Sequence, residues 1–182
     1  IGKNALGACA GGTGNTAIGY NALATLTIGH DNLAIGYGAL DACHVDTDGC
    51  TAIGVNAMGA TADSARSINS VAIGGGSMGG AALDGASYVT CVGHTSGSSL
   101  TGGDQCTFIG YGAGNNCSTG AANTLIGKSV IVSGATVGAE MALGSNITGG
   151  GTETMRIGIA TDYITNDFGE NATWTHSSDV RI

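Results

Sequence analysis

A branched apolar residue followed by glycine recurs at nearly constant spacing along the whole chain. The ten copies begin at Ile1, Ile18, Ile35, Ile53, Ile73, Val92, Ile109, Ile126, Leu143 and Ile157, at intervals of 17, 17, 18, 20, 19, 17, 17, 17 and 14 residues. This period is shorter than that of helix-pair repeats, and isoleucine and valine favour strands. Glycine tolerates positive φ and so allows the chain to bend. The pattern predicts short strands stacked at equal steps in an elongated all-β structure.

The segment from Asn15 to Leu23, with the sequence NTAIGYNAL, shows the repeat unit most clearly. In a strand, Thr16 and Ile18 share one face while Asn15 and Ala17 share the other. We expect a first strand of four or five residues, a bend at the glycine and a second short strand. The branched residues are then expected to form the structural ladder of the core, which comprises Ile18, Ile35, Ile53, Ile73, Val92, Ile109, Ile126, Leu143 and Ile157.

The composition narrows the fold class further. The 182 residues include 35 glycines and no proline, and 42% are hydrophobic although only 4% are aromatic. The interior must therefore be thin and filled by small side chains, as in a narrow solenoid. A repeat of this kind buries its apolar face only by stacking on neighbouring repeats or on other chains. We predict a homotrimeric fibre, built as a repetitive β-solenoid or β-roll or as a triple-stranded β-helix.

The repeats divide the chain into a long rod and a short end. We expect the rod to cover residues 1–158. Tyr163, Phe168 and Trp174 then bring large side chains into a short stretch, so residues 159–176 are expected to form a capping or transition segment. Ile1 falls within a repeat unit, and we therefore expect the sequence to be an internal segment of a longer chain.

Charge argues against two classes of partner. The formal net charge is −8, and the few basic residues form no stripe, so we expect neither nucleic-acid binding nor attraction to anionic membranes. No apolar run approaches the roughly 18 to 20 residues that span a bilayer, and membrane insertion is not expected.

The six cysteines are even in number but form no CxxC pair, so a zinc site is not expected. Cys50 and Cys106 stand three residues before the isoleucine, where Asn15 and Asn123 stand in other units. They are best interpreted as small buried or half-buried residues. We expect free thiols, with disulfides as the alternative in an extracellular fibre.

No residue pattern predicts catalysis, a cofactor or a metal. The four histidines, His30, His44, His94 and His176, lack metal-ligand spacing and a serine partner. Asp41, Asp46 and Asp48 lie near His44, which raises calcium binding or glycosidase chemistry as alternatives. Neither a twelve-residue calcium loop nor a calcium nonapeptide repeat is present, so a solvated loop is the preferred interpretation.

Two repeated residue types suggest other surfaces. The threonines at Thr16, Thr51, Thr107 and Thr124 would give the hydroxyl ladder of an ice-binding solenoid, but Leu33 and other apolar residues interrupt it. Tyr20, Tyr37 and Tyr111 each follow the glycine, and His94 holds the same position. They would stack on sugars or, as we prefer, pack against the next turn or a neighbouring chain.

The repeats resemble two families of trimeric fibrous proteins. The stretch from Asn69 to Ser77, NSVAIGGGS, looks like the head repeat of trimeric autotransporter adhesins, in which such units build a left-handed parallel β-roll and three chains associate. NTAIGYNAL at Asn15 to Leu23 resembles the related arrays of bacteriophage tail fibres. The resemblance covers residues 1 to about 158, and it rests on repetition of the motif.

The C-terminal nine residues, WTHSSDVRI, distinguish between these families. They resemble the junction that precedes the self-cleaving intramolecular chaperone of phage tail fibres and tailspikes, so residues 177–182 are expected to begin that junction. In that family the chaperone assembles the trimer and is often released by cleavage beside a serine. Ser178 and Asp179 match the positions of this cleavage junction, and the lysine partner of the family would lie beyond Ile182.

These observations lead to a functional hypothesis. We expect a non-enzymatic structural and adhesive segment of a phage tail fibre, extracellular on the virion, whose partners are two further copies, other virion tail proteins and a host-surface glycan or protein. Receptor contacts are expected in the loops from Asp41 to Gly49, Ala60 to Asn69 and Ser96 to Asp104. The alternatives are a bacterial trimeric autotransporter adhesin head and a polysaccharide-degrading tailspike.

Overall fold

A computed structural model describes residues 1–42, 47–59, 68–79 and 85–169, together with the short strand at 175–176. All regular elements in these residues are β-strands. In chain order they are β1 (Thr16–Ile18), β2 (Leu33–Ile35), β3 (Thr51–Ile53), β4 (Val71–Ile73), β5 (Thr90–Val92), β6 (Thr107–Ile109), β7 (Thr124–Ile126), β8 (Met141–Ser145), β9 (Thr154–Ile159), β10 (Asp162–Asp167) and β11 (Thr175–His176). The prediction of an all-β fold is confirmed.

Strands β1 to β9 form one parallel sheet in which every strand pairs with the next along the chain. The repeat sets the register, because Ala17 pairs with Ala34 and Ile18 with Ile35. The same equivalence continues up to Leu143 and Ile157. Each unit is therefore one turn of a coil that stacks on the turn before it, and the predicted β-solenoid is confirmed.

Each turn contains one short strand, and not the two strands that the sequence predicted. The strands of the regular turns are three residues long, and the chain leaves the sheet at the glycine, which at Gly19 has φ 140°. Asn21 and Leu23 then adopt positive φ of 56° and 53°, which breaks any second strand. Turn-to-turn hydrogen bonds persist there nevertheless, as from the Leu23 N–H to the Ala39 carbonyl at 3.0 Å.

The interior is lined by the residue that precedes the branched one. This inner column is buried in every turn and consists of Ala17, Ala34, Ala52, Ala72, Cys91, Phe108, Leu125 and Ala142. The branched residues are aligned in register as expected, but they lie on the opposite, outer face of the coil. Ile18 is 40% exposed whereas Ala17 is 6% exposed. Within one chain the ladder is therefore outside the core, since successive strand residues point to opposite faces.

The size of the side chain in the inner column is complementary to the size of the side chain six residues later. In the early turns the inner column holds alanine, and the buried residue six positions later is large, as with Ala17 and Leu23. At Phe108 the relation is inverted, because Gly114 takes the later position and a Cβ there would overlap the phenyl ring. The narrow coil thus accommodates one large side chain in this pair of positions, as close packing requires.

A second buried column is polar and lies three residues before the branched one. Asn32 is 1% exposed; its side chain donates to the Thr47 carbonyl at 2.6 Å and accepts from the Cys50 N–H at 2.9 Å. In the same way, the Asn123 side chain accepts the Glu140 N–H at 2.9 Å. These side chains satisfy backbone groups that would otherwise be buried without partners. Cys50 and Cys106 are buried in this column, as the sequence predicted.

The solenoid ends where the interval shortens to 14 residues. Arg156 of β9 pairs with Ala142 and so follows the inner column. Its guanidinium donates to the carbonyls of Thr148 and Gly149 at 3.0 and 2.9 Å, and it lies 4.6 Å from the centre of the Tyr163 ring. Strand β10 then pairs antiparallel with β9 and β11. Among the aromatics predicted to cap the rod, Tyr163 contacts this end, Phe168 is exposed, and Trp174 lies outside the described residues.

Candidate functional site

The most extensive candidate site is the outer face of the parallel sheet. We define the outer column as the nine predicted ladder residues from Ile18 to Ile157. Ile18, Ile73, Ile109 and Leu143 are 40%, 37%, 37% and 44% exposed, and the other five are half-buried. The outer column is therefore a line of partly exposed apolar side chains that runs along the whole parallel sheet.

The column two residues earlier widens this face. It consists of Thr16, Leu33, Thr51, Val71, Thr90, Thr107, Thr124, Met141 and Met155. Most members are half-buried, and none of them is charged. At these two positions the face is therefore uncharged and in register over nine strands. Apolar residues at Leu33, Val71 and Met141 interrupt the threonines of this column, as the sequence already shows.

An aromatic column borders the outer face on the other side of the glycines. The rings of Tyr20 and Tyr37 stack with centroids 5.3 Å apart and planes 10° apart, and those of His94 and Tyr111 stack at 5.8 Å and 9°. Packing against the next turn, which the sequence analysis preferred over sugar stacking, is what these four rings do in the structure. Their edges remain accessible, since Tyr37 is 55% exposed.

The three loops proposed for receptor contacts differ in what the structure describes. Residues 43–46 and 60–67 lie outside the described residues, so the predicted acidic group around His44 and Asp46 and most of the Ala60 to Asn69 loop do too. From Ser96 to Asp104 every residue is buried or half-buried. This segment was expected to be a surface loop, but Leu100 is buried and the Thr101 N–H donates to the Ser118 carbonyl at 2.9 Å.

Two carboxylates near the first loop have different environments. The Asp48 side chain accepts the backbone N–H of His30 at 2.6 Å and so links two turns. Burial raises the pKa of Asp41, although hydrogen bonds from the backbone of Asp41 and Ala42 oppose this effect. The Asp41 Oδ1 atom is buried without a hydrogen-bond partner. Asp48 therefore binds the backbone of the preceding turn, whereas the Asp41 carboxylate is poorly solvated.

Thr13 and His30 form a contact between a hydroxyl and an imidazole, the groups that serve as nucleophile and general base in many active sites. The Nδ1 atom of His30 lies 2.9 Å from the Thr13 hydroxyl and accepts the Thr13 N–H at 3.1 Å. A catalytic pair also needs a third group that orients the imidazole through its other nitrogen. Asp48 accepts the backbone N–H of His30. The contact between Thr13 and His30 joins adjacent turns.

The cysteines are the remaining reactive groups. Five of the six, Cys9, Cys50, Cys91, Cys106 and Cys117, are described, and they are free thiols. The Sγ atoms of Cys106 and Cys117 both lie 3.3 Å from the Gly120 carbonyl oxygen; the proximity of the two thiols lowers the pKa of Cys106 and raises that of Cys117. Burial raises the pKa of Cys91. Across the part of the chain that the structure describes, no group of three or more His, Cys, Asp or Glu side chains could hold a metal ion.

The predicted cleavage junction, with Ser178 and Asp179, lies outside the described residues. No protein-family model, curated protein or solved structure matches the chain. Within the described ranges, no helix is long and apolar enough to cross a membrane.

Proposed function

We propose that the chain is a structural and adhesive segment of a phage tail fibre, and that three copies associate through their outer faces. The observation that carries the proposal is the outer column, in which branched apolar residues occupy nine consecutive strands in register. It is supported by the resemblance of NTAIGYNAL to tail-fibre repeats and of WTHSSDVRI to the chaperone junction.

The exposed apolar area of the outer column favours association of the chains. Side chains such as Ile18 and Ile109 remain 40% and 37% exposed, and burial of apolar area contributes about 25 cal/mol per Å². Each turn adds another such residue to the outer column, so the free energy gained by association increases with the length of the rod. A closed arrangement of three chains around one axis buries all three faces and leaves none for open-ended growth.

The mechanism of such a fibre is geometric. Backbone hydrogen bonds between turns make the rod stiff, and three parallel copies present the same surface three times, which increases avidity without new contacts. We still expect receptor contacts in the loops from Asp41 to Gly49 and from Ala60 to Asn69. The packed segment from Ser96 to Asp104 is a poor candidate.

The first test is the mass of the native assembly for two matched variants. Ile109→Asp places a charge in the outer column, whereas Tyr88→Asp places the same charge on a side chain that is 55% exposed elsewhere on the coil. We expect wild type and Tyr88→Asp to be trimers and Ile109→Asp to lose the trimer. A monomeric wild-type protein, or a trimer that tolerates Ile109→Asp, would contradict the proposal.

Two further measurements distinguish the alternatives. The coding sequence after Ile182 should encode a chaperone for a tail fibre and a coiled-coil stalk with a membrane anchor for an adhesin head. Incubation of the purified trimer with bacterial surface polysaccharides should give binding without shortened chains. Shortened chains would indicate a depolymerising tailspike.

A further inference from the structure

Two buried thiols of the same turn point at one carbonyl oxygen. The Sγ atoms of Cys106 and Cys117 each lie 3.3 Å from the oxygen of Gly120. Both residues are fully buried. The two thiols therefore converge on one point inside the coil, although ten residues separate them in sequence.

The repeat explains why these two positions meet. Two asparagines of the polar column donate to the carbonyl fourteen residues later, Asn15 to Gly29 at 2.7 Å and Asn123 to Val137 at 2.9 Å. Cys106 follows the same rule with Gly120. Cys117 approaches that carbonyl from within the turn, as Cys9 approaches the carbonyl of Gly12 at 3.8 Å. Both approaches are thus recurrent features of the coil.

We infer that Cys106 and Cys117 are the reduced form of an intrachain disulfide that staples the sixth strand to the loop that follows it. The juxtaposition of both sulfurs at Gly120 carries this inference, and it does not depend on the proposed function. The neighbouring Cys117 side chain lowers the pKa of Cys106, which favours the Cys106 thiolate as the attacking group.

The chemistry requires an oxidant, for which a small-molecule disulfide such as glutathione disulfide suffices. One thiolate displaces a glutathione thiolate and forms a mixed disulfide. The second cysteine then attacks the protein sulfur of that bond and releases the other glutathione. Two protein thiols are oxidised to one S–S bond, and one glutathione disulfide is reduced to two glutathione molecules.

Burial controls when this reaction takes place. Cys106 and Cys117 are both 0% exposed, so the folded coil shields the two thiols from solvent. The oxidant therefore reaches the pair while the coil is still open. Formation of the bond should be fast during folding and slow in the folded protein.

The test compares refolding with treatment of the native chain. Fully reduced protein is unfolded and refolded in a glutathione redox buffer, while folded protein is held in the same buffer for the same time. Free thiols are then alkylated, and chymotryptic peptides are mapped by mass spectrometry, since Phe108 and Tyr111 provide cleavage sites between the two cysteines.

We expect the refolded chain to contain a Cys106–Cys117 linkage and the native chain to retain both thiols. Cys9→Ser, which removes a half-buried cysteine elsewhere in the coil, should leave the linkage unchanged, whereas Cys117→Ser should leave Cys106 alkylated. Full alkylation of both cysteines after refolding, or a linkage of Cys106 to Cys91, would overturn the inference. The wild-type map decides the matter even if a variant fails to fold.

Discussion

Gly54 and Gly74 face each other across adjacent turns with no space between them for a side chain. A Cβ on Gly54 would lie 2.7 Å from the carbonyl oxygen of Gly74, and Gly54 has a φ of 137°. Equivalent glycines follow the outer column in every turn. The glycine of the repeat is therefore required both by the backbone conformation and by the approach of the next turn.

This contact predicts a strong effect of Gly54→Ala. The positive φ alone costs more than about 1 kcal/mol for alanine, and the overlap with Gly74 adds to it. Gly11→Ala is the control, because its Cβ would make an ordinary 3.6 Å contact with Ile28. Urea unfolding should show a large loss of stability for Gly54→Ala and little change for Gly11→Ala. Equal midpoints for the two variants would contradict the assigned role of the glycine.

The exchange of volume between Phe108 and Gly114 predicts a rescue. Phe108→Ala should cost about 3 to 5 kcal/mol because it leaves a cavity. Adding Gly114→Leu restores the combination of alanine and leucine found in the early turns. Leu23 adopts a positive φ of 53°, similar to that of Gly114, so leucine is compatible with this backbone conformation. The double variant should be more stable than Phe108→Ala, with a coupling of about 0.5 to 3 kcal/mol in a double-mutant cycle. Additive effects would show that the two positions do not share one space.

The polar column predicts that Asn32 is essential for stability. Asn32→Ala removes the acceptor of the Cys50 N–H and the donor to the Thr47 carbonyl. A buried backbone group that loses its partner costs about 1 to 3 kcal/mol. Asn115→Ala, at an exposed position, is the matched control and should unfold like the wild type. Hydrogen exchange at the Cys50 amide should also accelerate in Asn32→Ala alone.

The environment of Asp41 predicts a pH-dependent effect. Its pKa is raised by burial, so the protonated form favours folding, and this stabilisation is lost as pH rises through the pKa of the folded state. Asp41→Asn should therefore unfold at higher denaturant concentration than the wild type at neutral pH. The difference should disappear below the ordinary carboxyl value of 3.8. An equal or lower midpoint at neutral pH would be inconsistent with the buried, unpartnered Oδ1 atom.

The sequence predicted the coil better than it predicted the orientation of the strands. Alternation separates Ala17 from Ile18, but it does not say which of them is inside. We expected the larger side chain in the core, yet Leu23 fills the narrow interior and leaves room only for alanine at residue 17. The sequence does contain an indication of which residue is inside, because the side chains at residues 17 and 23 are complementary in size. This order of sizes is reversed at Phe108 and Gly114.

The candidate site was predicted in part for a similar reason. The spacing of the branched residues located the outer column, whereas its exposure depends on how the rest of the turn folds. The approach of Cys106 and Cys117 to one carbonyl was not predicted, because the spacing of the repeat places Cys106 in the polar column and does not show which residue of the same turn reaches Gly120. The cleavage junction and the acidic loop remain predictions.

Equal spacing of the turns also bears on how such a chain changes over time. The residues from Gly19 to Ile35 form one full circuit, so their removal would join equivalent points of two neighbouring circuits and preserve every pairing on either side. Unequal recombination between the corresponding stretches of DNA can then shorten or lengthen the protein by whole circuits. Changes of this kind adjust reach in fixed increments, whereas partial deletions would shift the pairing and are expected to be eliminated.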